Sequence, residues 1–317
     1  MRILAVDDDP IILELLSEIV VGAGGDDILT ATSGPEALDL LDDPDTGPID
    51  CFLLDVQMPV MNGIDLCAEI RRIPDYRATP IIMLTAMTEK PYIDSAFRAG
   101  ATDYVSKPFD VAELRRRLKT AMLRKTELSR QADMQGAGGF GGLLSPIPIY
   151  DVDNCIAFFA FENYVQQLSR QSLFGSLLMA FNIRKVEAFY NNCDTFTFEG
   201  LIADVAETIS DCMRDRAFVL SYAGNGTFAC LIEDGNFPER AQLVDWINEC
   251  LQKQDLFYGP DCPLVLRISA GEMVRLIGRN SAALDDAIVH ATASAEAASI
   301  AAEARIEDLW SQGVAAE

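Results

Sequence analysis

Apolar residues recur in two rhythms along the first 124 positions. Residues 2–6 form a short apolar run, and the stretch after it carries Ile11, Ile12, Leu15, Leu16, Ile19 and Val20. Spacings of three and four place that set on one stripe of a helix. The alternation then repeats. Strands are predicted at 28–33, 51–55, 80–85 and 103–107, followed by helices at 35–42, 62–72 and 89–99 and one opening at Asp110. Five strand–helix units in a row predict a parallel sheet with helices on both faces.

Past Asp110 the helical spacing persists through Leu114, Leu118, Ala121 and Leu128, with Lys125 at the skipped step. Two heptads are too few to identify a coiled coil, so a dimer stem and a helix with one packed face both fit. Gly136-Ala-Gly-Gly-Phe-Gly-Gly142 then breaks the pattern with the composition of a flexible linker. Beyond it the rhythm changes. Helices are predicted at 153–169, 198–213, 240–252 and 282–302, and strands at 176–183 and 264–269. Two β-rich runs, 218–223 and 227–232, flank Gly224-Asn225-Gly226, a hairpin signal because a tight turn needs positive φ. The second half therefore reads as α+β with a mainly antiparallel sheet.

Composition narrows the function. The 317 residues favour two domains, and a hydrophobic content of 50% is that of globular chain. No apolar run reaches the ~18 residues of a membrane span, and no signal-peptide pattern follows Met1, so a cytoplasmic, membrane-free chain is expected. The net charge of −24 argues against a nucleic-acid partner. The basic cluster Arg115, Arg116, Arg117, Lys119, Arg124 and Lys125 reads as a solvated helix face. None of the eight cysteines is spaced as CxxC, which suits buried, reduced thiols. His290, the single histidine, reads as an ordinary helix residue and makes a phosphohistidine kinase improbable.

Ligands of such parallel sheets sit beyond the carboxyl ends of the strands. The first strand finishes in Asp7-Asp8-Asp9, the third in Asp55, the fourth in Thr85 and the fifth in Lys107. Packed carboxylates repel unless a cation neutralises them, and hard oxygen ligands suit Mg²⁺. Mg²⁺ and Lys107 would neutralise a transferring phosphoryl group, and Thr85 would hydrogen-bond one of its oxygens.

The segments VDDD, LLDVQMPVMNG, LTA and KPF together resemble the receiver domain of two-component response regulators over about 124 residues. The resemblance implies a flavodoxin-like, doubly wound α/β fold with Asp55 as phosphoacceptor. It assigns Mg²⁺ to Asp7, Asp8, Asp55 and the main-chain carbonyl of Gln57, makes Tyr104 a switch aromatic, and makes the Lys107–Pro108 bond cis. The implied partner is a cognate histidine kinase or phosphotransfer protein. Gln57 and Met87 occupy positions that tune acyl-phosphate lifetime in this family. Neither is a carboxylate that positions water, so a long-lived phosphoryl state is expected.

The second half resembles a GGDEF domain, the diguanylate cyclase fold. Asn182-Ile-Arg-Lys-Val-Glu-Ala-Phe-Tyr-Asn191 stands at its DxDxFKxxND segment, 222–228 at its signature hairpin, Arg267-Ile-Ser-Ala-Gly271 at TxSxGxA and 286–293 at its closing helix. The catalytic groups do not carry over. Asn182 and Arg184 replace metal-binding acids, Gly226-Thr227 replaces the acidic pair, and Tyr190 replaces the guanine-reading Asn. Asp215 and Phe218 fall where the product-binding Arg and Asp would be. The expected organisation is a receiver at 1–124, a helical extension and Gly-rich linker at 125–144, a degenerate GGDEF-like output domain at 145–310 and a tail at 311–317. The expected function is a response regulator that acts through protein contacts with an unidentified downstream protein or a second copy of itself, with no cyclase activity. The alternative is a nucleotide- or cyclic-dinucleotide-sensing effector.

Overall fold

The computed structural model describes residues 1–21, 27–87, 89–135, 142–168, 170–233, 239–254, 266–276 and 281–314, without the side chains of 127–135, 170, 171, 174 and 306–314. The chain divides into two compact units, Met1–Met134 and Gln135–Glu317. The linker residues 136–141, the Leu128 side chain, strand positions 264–265 and the end of the tail lie outside the described residues.

The first unit alternates β1 (Arg2–Val6), α1 (Pro10–Val21), β2 (Asp27–Ala31), α2 (Gly34–Asp42), β3 (Cys51–Asp55), α3 (Gly63–Arg72), β4 (Ile81–Thr85), α4 (Lys90–Arg98), β5 (Asp103–Ser106) and α5 (Val111–Gln135). Its five strands pair in parallel in the order β2-β1-β3-β4-β5. Successive strand side chains point to opposite faces, and here both faces are buried. Ile3, Ala5, Cys51, Leu53, Ile82 and Leu84 pack under α1 and α5, while Leu4, Val6, Phe52, Leu54, Ile81 and Met83 pack under α2, α3 and Ala96 of α4. Each fully buried Leu, Ile or Phe contributes roughly 1.5–3 kcal/mol.

The stripe on α1 differs from the one read off the sequence. Leu13, Leu16, Ile19 and Val20 are buried, whereas Ile11 is 72% and Leu15 38% exposed. A run this rich in apolar residues offers several arcs at helical spacing, and the position of the sheet chooses one. On α5 the first three seam residues, Leu114, Leu118 and Ala121, are spent on covering the sheet. Of the basic residues of α5, Arg115, Arg116, Lys119 and Arg124 are exposed as expected, while Arg117 and Lys125 are half-buried. Arg117 bonds both carboxylate oxygens of Asp103 at 2.5 and 2.6 Å and also pairs with Glu113, Lys125 pairs with Asp50 at 2.8 Å, and Arg115 donates to the Ile19 carbonyl.

The second unit carries α6 (Phe158–Gln167), α7 (Arg170–Gly175), β6 (Leu177–Ile183), α8 (Val186–Asn192), α9 (Thr195–Cys212), β7 (Phe218–Gly224), β8 (Thr227–Ile232), α10 (Arg240–Lys253), β9 (Ile268–Ala270), β10 (Val274–Arg275) and α11 (Ser281–Val314). The sheet runs β10-β6-β8-β7, with β9 also on the free edge of β6, and each of these pairings is antiparallel. Phe181, Leu220, Tyr222 and Phe228 share one core with Phe198, Ile202 and Ile209 of α9 and with Leu243 and Ile247 of α10. On α6 and α11, Phe161, Tyr164, Ala291 and Ala295 are buried as these helices lie against β6, β7 and β8.

The helix expected from 153 starts only at Phe158. Residues 154–156 follow the sheet edge instead: Leu220 donates to the Asn154 carbonyl at 2.8 Å and Ile156 to the Leu220 carbonyl at 2.9 Å. Those edge groups would otherwise be buried without partners. The short elements α7 and β10 had no signal of their own. Cys51, Cys67, Cys155, Cys212 and Cys230 are buried free thiols, Cys193 and Cys250 are half-buried, and Cys262 lies outside the described residues. His290 is an exposed residue of α11. No helix among the described residues is long and apolar enough to cross a membrane.

Candidate functional site

Parallel pairing brings the ends of β1, β3, β4 and β5 to one edge, and the side chains there are polar. Asp7 and Asp55 are buried at 1% and 4% exposure, and Asp8 is exposed beside them. One carboxylate oxygen from each of the three lies within 4.8 Å of the others. Lys107 closes the group, its Nζ donating to Asp7 Oδ2 and Asp55 Oδ1, both at 2.6 Å. The other Asp55 oxygen accepts from the Gln57 N–H at 2.9 Å, and Asp7 Oδ1 accepts from the Asp9 N–H at 3.1 Å. Asp9 stands apart from the carboxylate trio and accepts from the Ile11 N–H at the start of α1.

The electrostatics of the site are opposed. Burial pushes the Asp55 carboxyl above its usual range, Lys107 pulls it down, and Asp7 pushes it up again. Burial pulls Lys107 down, but its bonds to Asp55 and Asp7 outweigh that and hold it above its usual value. One ammonium thus neutralises two buried carboxylates, and the third has no such partner within the trio. This donor set, hard oxygens within reach of a single ion, fits Mg²⁺.

Thr85 is buried at the end of β4, but its hydroxyl accepts from the Met87 N–H at 2.9 Å and makes no bond to Asp55. Tyr104 is half-buried and packs against the core on the α2–α3 face. The Lys107–Pro108 peptide is cis. Gln57 and Met87 both line a cleft of about 490 Å³ that also contains Asp8, Met58 and Tyr92. The loop after β3 is anchored by Asn62, whose side chain caps α3 by accepting from the Ile64 and Asp65 N–H groups. Behind it Gly63 passes so close that a Cβ there would lie 2.0 Å from the Asp55 carbonyl oxygen.

In the second unit the hairpin turn has Gly224, Asn225 and Gly226 at φ of 96°, 52° and 69°. Tyr222 Oη accepts from the Gly226 N–H, and Leu143 O accepts from the Asn225 N–H at 2.6 Å. Asn182 donates to Asn225 O and Thr227 Oγ1, both at 2.9 Å. The structure adds a carboxylate that motif reasoning missed: Glu296 Oε1 on α11 accepts from Asn225 Nδ2 at 3.0 Å and Thr227 Oγ1 at 3.2 Å. It lies 69 positions from Thr227 within an alanine-rich helix, and nothing in its local sequence pointed to the hairpin. Tyr190 is edge-on to Phe198 and belongs to the core.

Comparison with known proteins bears on the first unit. Residues 3–119 match the family described as response regulator receiver domain. The chain is 41% identical over 137 residues to the transcriptional regulatory protein CpxR of Klebsiella pneumoniae, covering 43% of this chain and 55% of that one. It is 33% identical over 122 residues to a chemotaxis protein CheY homolog of Campylobacter jejuni, covering 38% of this chain and 92% of that one. Among solved structures, CheY4 of Vibrio cholerae is 33% identical, with a TM-score of 0.36 and 38% of this chain and 97% of that chain covered. The chain thus spans about half the length of CpxR and nearly all of a CheY homolog. With a five-stranded parallel sheet that gathers Asp7, Asp55 and Lys107 at one edge, the chain belongs to the response regulators of two-component systems through its N-terminal receiver domain.

Proposed function

We propose that the receiver accepts a phosphoryl group on Asp55 from a histidine kinase or phosphotransfer protein and passes the signal on through a catalytically silent, GGDEF-like second domain. The observation that carries the first part is the contact of Lys107 with both Asp55 and Asp7. Asp55 presents an oxygen to the donor, and Lys107 holds that oxygen in place and balances the charge arriving with the phosphoryl group. Asp7, Asp8, Asp55 and the Gln57 carbonyl would hold Mg²⁺, which supplies further charge neutralisation on the phosphoryl oxygens. Thr85 gives up its bond to Met87 to reach the phosphate, and Tyr104 follows it inward.

The lifetime of that state is testable at the cleft. Met87→Glu places a carboxylate in the cleft that Asp8 also lines, where it can position an attacking water. Decay of labelled protein after removal of the donor should be several-fold faster than in wild type. An unchanged or slower decay removes this role for Met87.

The silence of the second domain follows from charge. A triphosphate and its metals need anionic ligands. Asn182 and Thr227 are neutral, and Glu296 is engaged with Asn225 and Thr227. Phosphorylated full-length protein incubated with Mg²⁺ and GTP should form no cyclic diguanylate, and detection of that product overturns the assignment. The output is then a protein contact, a downstream partner or a second copy, made available when phosphorylation shifts the conformational population. CpxR is a transcriptional regulatory protein. In this chain a net charge of −24 opposes a polyanionic partner.

A further inference from the structure

The edge of β6 that pairs with β9 carries an arrangement that none of the proposed roles uses. In the β6–β9 ladder Asn182 faces Ser269 and Ile183 faces Ile268. The next antiparallel pair is therefore Arg184 opposite Arg267, and the Arg184 N–H donates to the Arg267 carbonyl at 2.9 Å. Two like charges directly across a ladder are destabilising. A guanidinium cannot escape by losing its proton. Burial, followed by opposing effects from Glu303 and Arg267, leaves the half-buried Arg184 below its usual value. Glu303 is paired with Lys185 at 2.9 Å, and among the described residues neither Arg184 nor Arg267 makes an ion pair.

Both arginines line a cleft of about 310 Å³ whose opposite wall is α10, with Asp245, Asn248, Glu249 and Gln252. The walls are fixed. Asn248 Oδ1 accepts from the Ile268 N–H at 2.8 Å and its Nδ2 donates to the Ile268 carbonyl, which ties α10 to β9. Arg184 Nε donates to Ser269 Oγ at 2.9 Å, and among the described residues its terminal nitrogens make no hydrogen bond or ion pair.

We infer that this cleft is a binding site for a phosphoryl-bearing small molecule, with its phosphate oxygens bridging Arg184 and Arg267. Planar guanidinium forks match phosphate in pairs, and the anion removes the repulsion that the ladder imposes. Asp245 and Glu249 on the far wall repel a bare polyanion and accept hydrogen bonds from N–H or O–H groups attached to the phosphate. The expected ligand therefore has an anionic end and a donor-bearing end, as a nucleotide does, and inorganic pyrophosphate should bind more weakly.

The test is calorimetric titration of the full-length protein with ATP and with pyrophosphate, in EDTA so that the receiver holds no metal. Saturable binding of ATP is expected, weakened about tenfold or more by Arg184→Gln or Arg267→Gln, since each removes a charge-assisted contact. ATP should raise the melting temperature of wild type and not of the Arg184→Gln, Arg267→Gln double variant. Asp245→Asn with Glu249→Gln should narrow the gap between ATP and pyrophosphate. Absence of saturable binding by wild type overturns the site, as does unchanged affinity in both arginine variants. Labelling of Asp55 is a separate readout, so failure of the receiver chemistry and failure of this site are distinguishable.

Discussion

Incubated with Mg²⁺ and acetyl phosphate, wild-type protein should become phosphorylated and Asp55→Ala should remain at background. The expectation rests on the position of Asp55 among the three carboxylates. It ends β3, the central strand, with one oxygen fixed by Lys107 and the other by the Gln57 N–H. Asp7 has a matching pair of anchors, Lys107 and the Asp9 N–H, but is more deeply buried and lies just past β1, off the centre of the sheet, and Asp8 is exposed. A nucleophile must be both held and presented, and Asp55 alone joins a two-sided anchor to a place in the middle of the strand ends. Alanine removes the attacking oxygen while leaving the strand itself buried. Phosphate-affinity gel electrophoresis reads the result directly. Equal labelling of the Ala variant, with the new site mapped by mass spectrometry, would move the acceptor elsewhere.

The second large effect concerns Gly63, which performs no chemistry. A side chain at this position would meet the Asp55 carbonyl oxygen at 2.0 Å and the Val56 Cα at 3.2 Å. These are backbone atoms of the strand end that carries Asp55, and they cannot swing aside as a long side chain would. The Gly63 N–H also donates to the Val56 carbonyl at 3.0 Å, which closes the loop between β3 and α3. Gly63→Ala must therefore push α3 away from β3 or displace Asp55 itself. Overpacking at such a contact costs about 3 kcal/mol. Urea unfolding followed by circular dichroism should show the receiver transition at a midpoint lower by about 1–2 M, given the usual dependence of stability on denaturant. Acetyl phosphate labelling should slow in the same variant, because the Asp55 carboxylate shifts relative to Lys107. A midpoint and labelling rate equal to wild type would mean that the β3–α3 approach is looser than these distances indicate.

Much of the receiver is legible in the chain itself. Its central strands β3 and β4 are fully buried and so read as nearly unbroken apolar runs, and β1, β3, β4 and β5 each end in or lead into a polar residue that a parallel sheet must deliver to one edge. Asp7, Asp55, Thr85 and Lys107 were identifiable because each is placed by the end of its own strand. Local sequence also specified the Asn62 cap and the Gly224-Asn225-Gly226 turn, since both rest on what single residues can do with their backbone. The buried arc of α1 was not local, because Ile11 and Leu15 are as apolar as Leu13 and only the sheet beneath the helix distinguishes them. The extended path of 154–156 depends on the open edge of β7, which lies more than sixty residues along the chain. Two further features, Glu296 at the hairpin and Arg184 opposite Arg267, join segments 69 and 83 positions apart by residue number. Apolar segments, turn positions and the charged end of the parallel sheet are set by local sequence, because they follow from periodicity and backbone preference along a few residues. Which distant side chains share a pocket depends on the folded chain, because antiparallel register and helix packing bring together residues whose neighbours in sequence carry no record of one another.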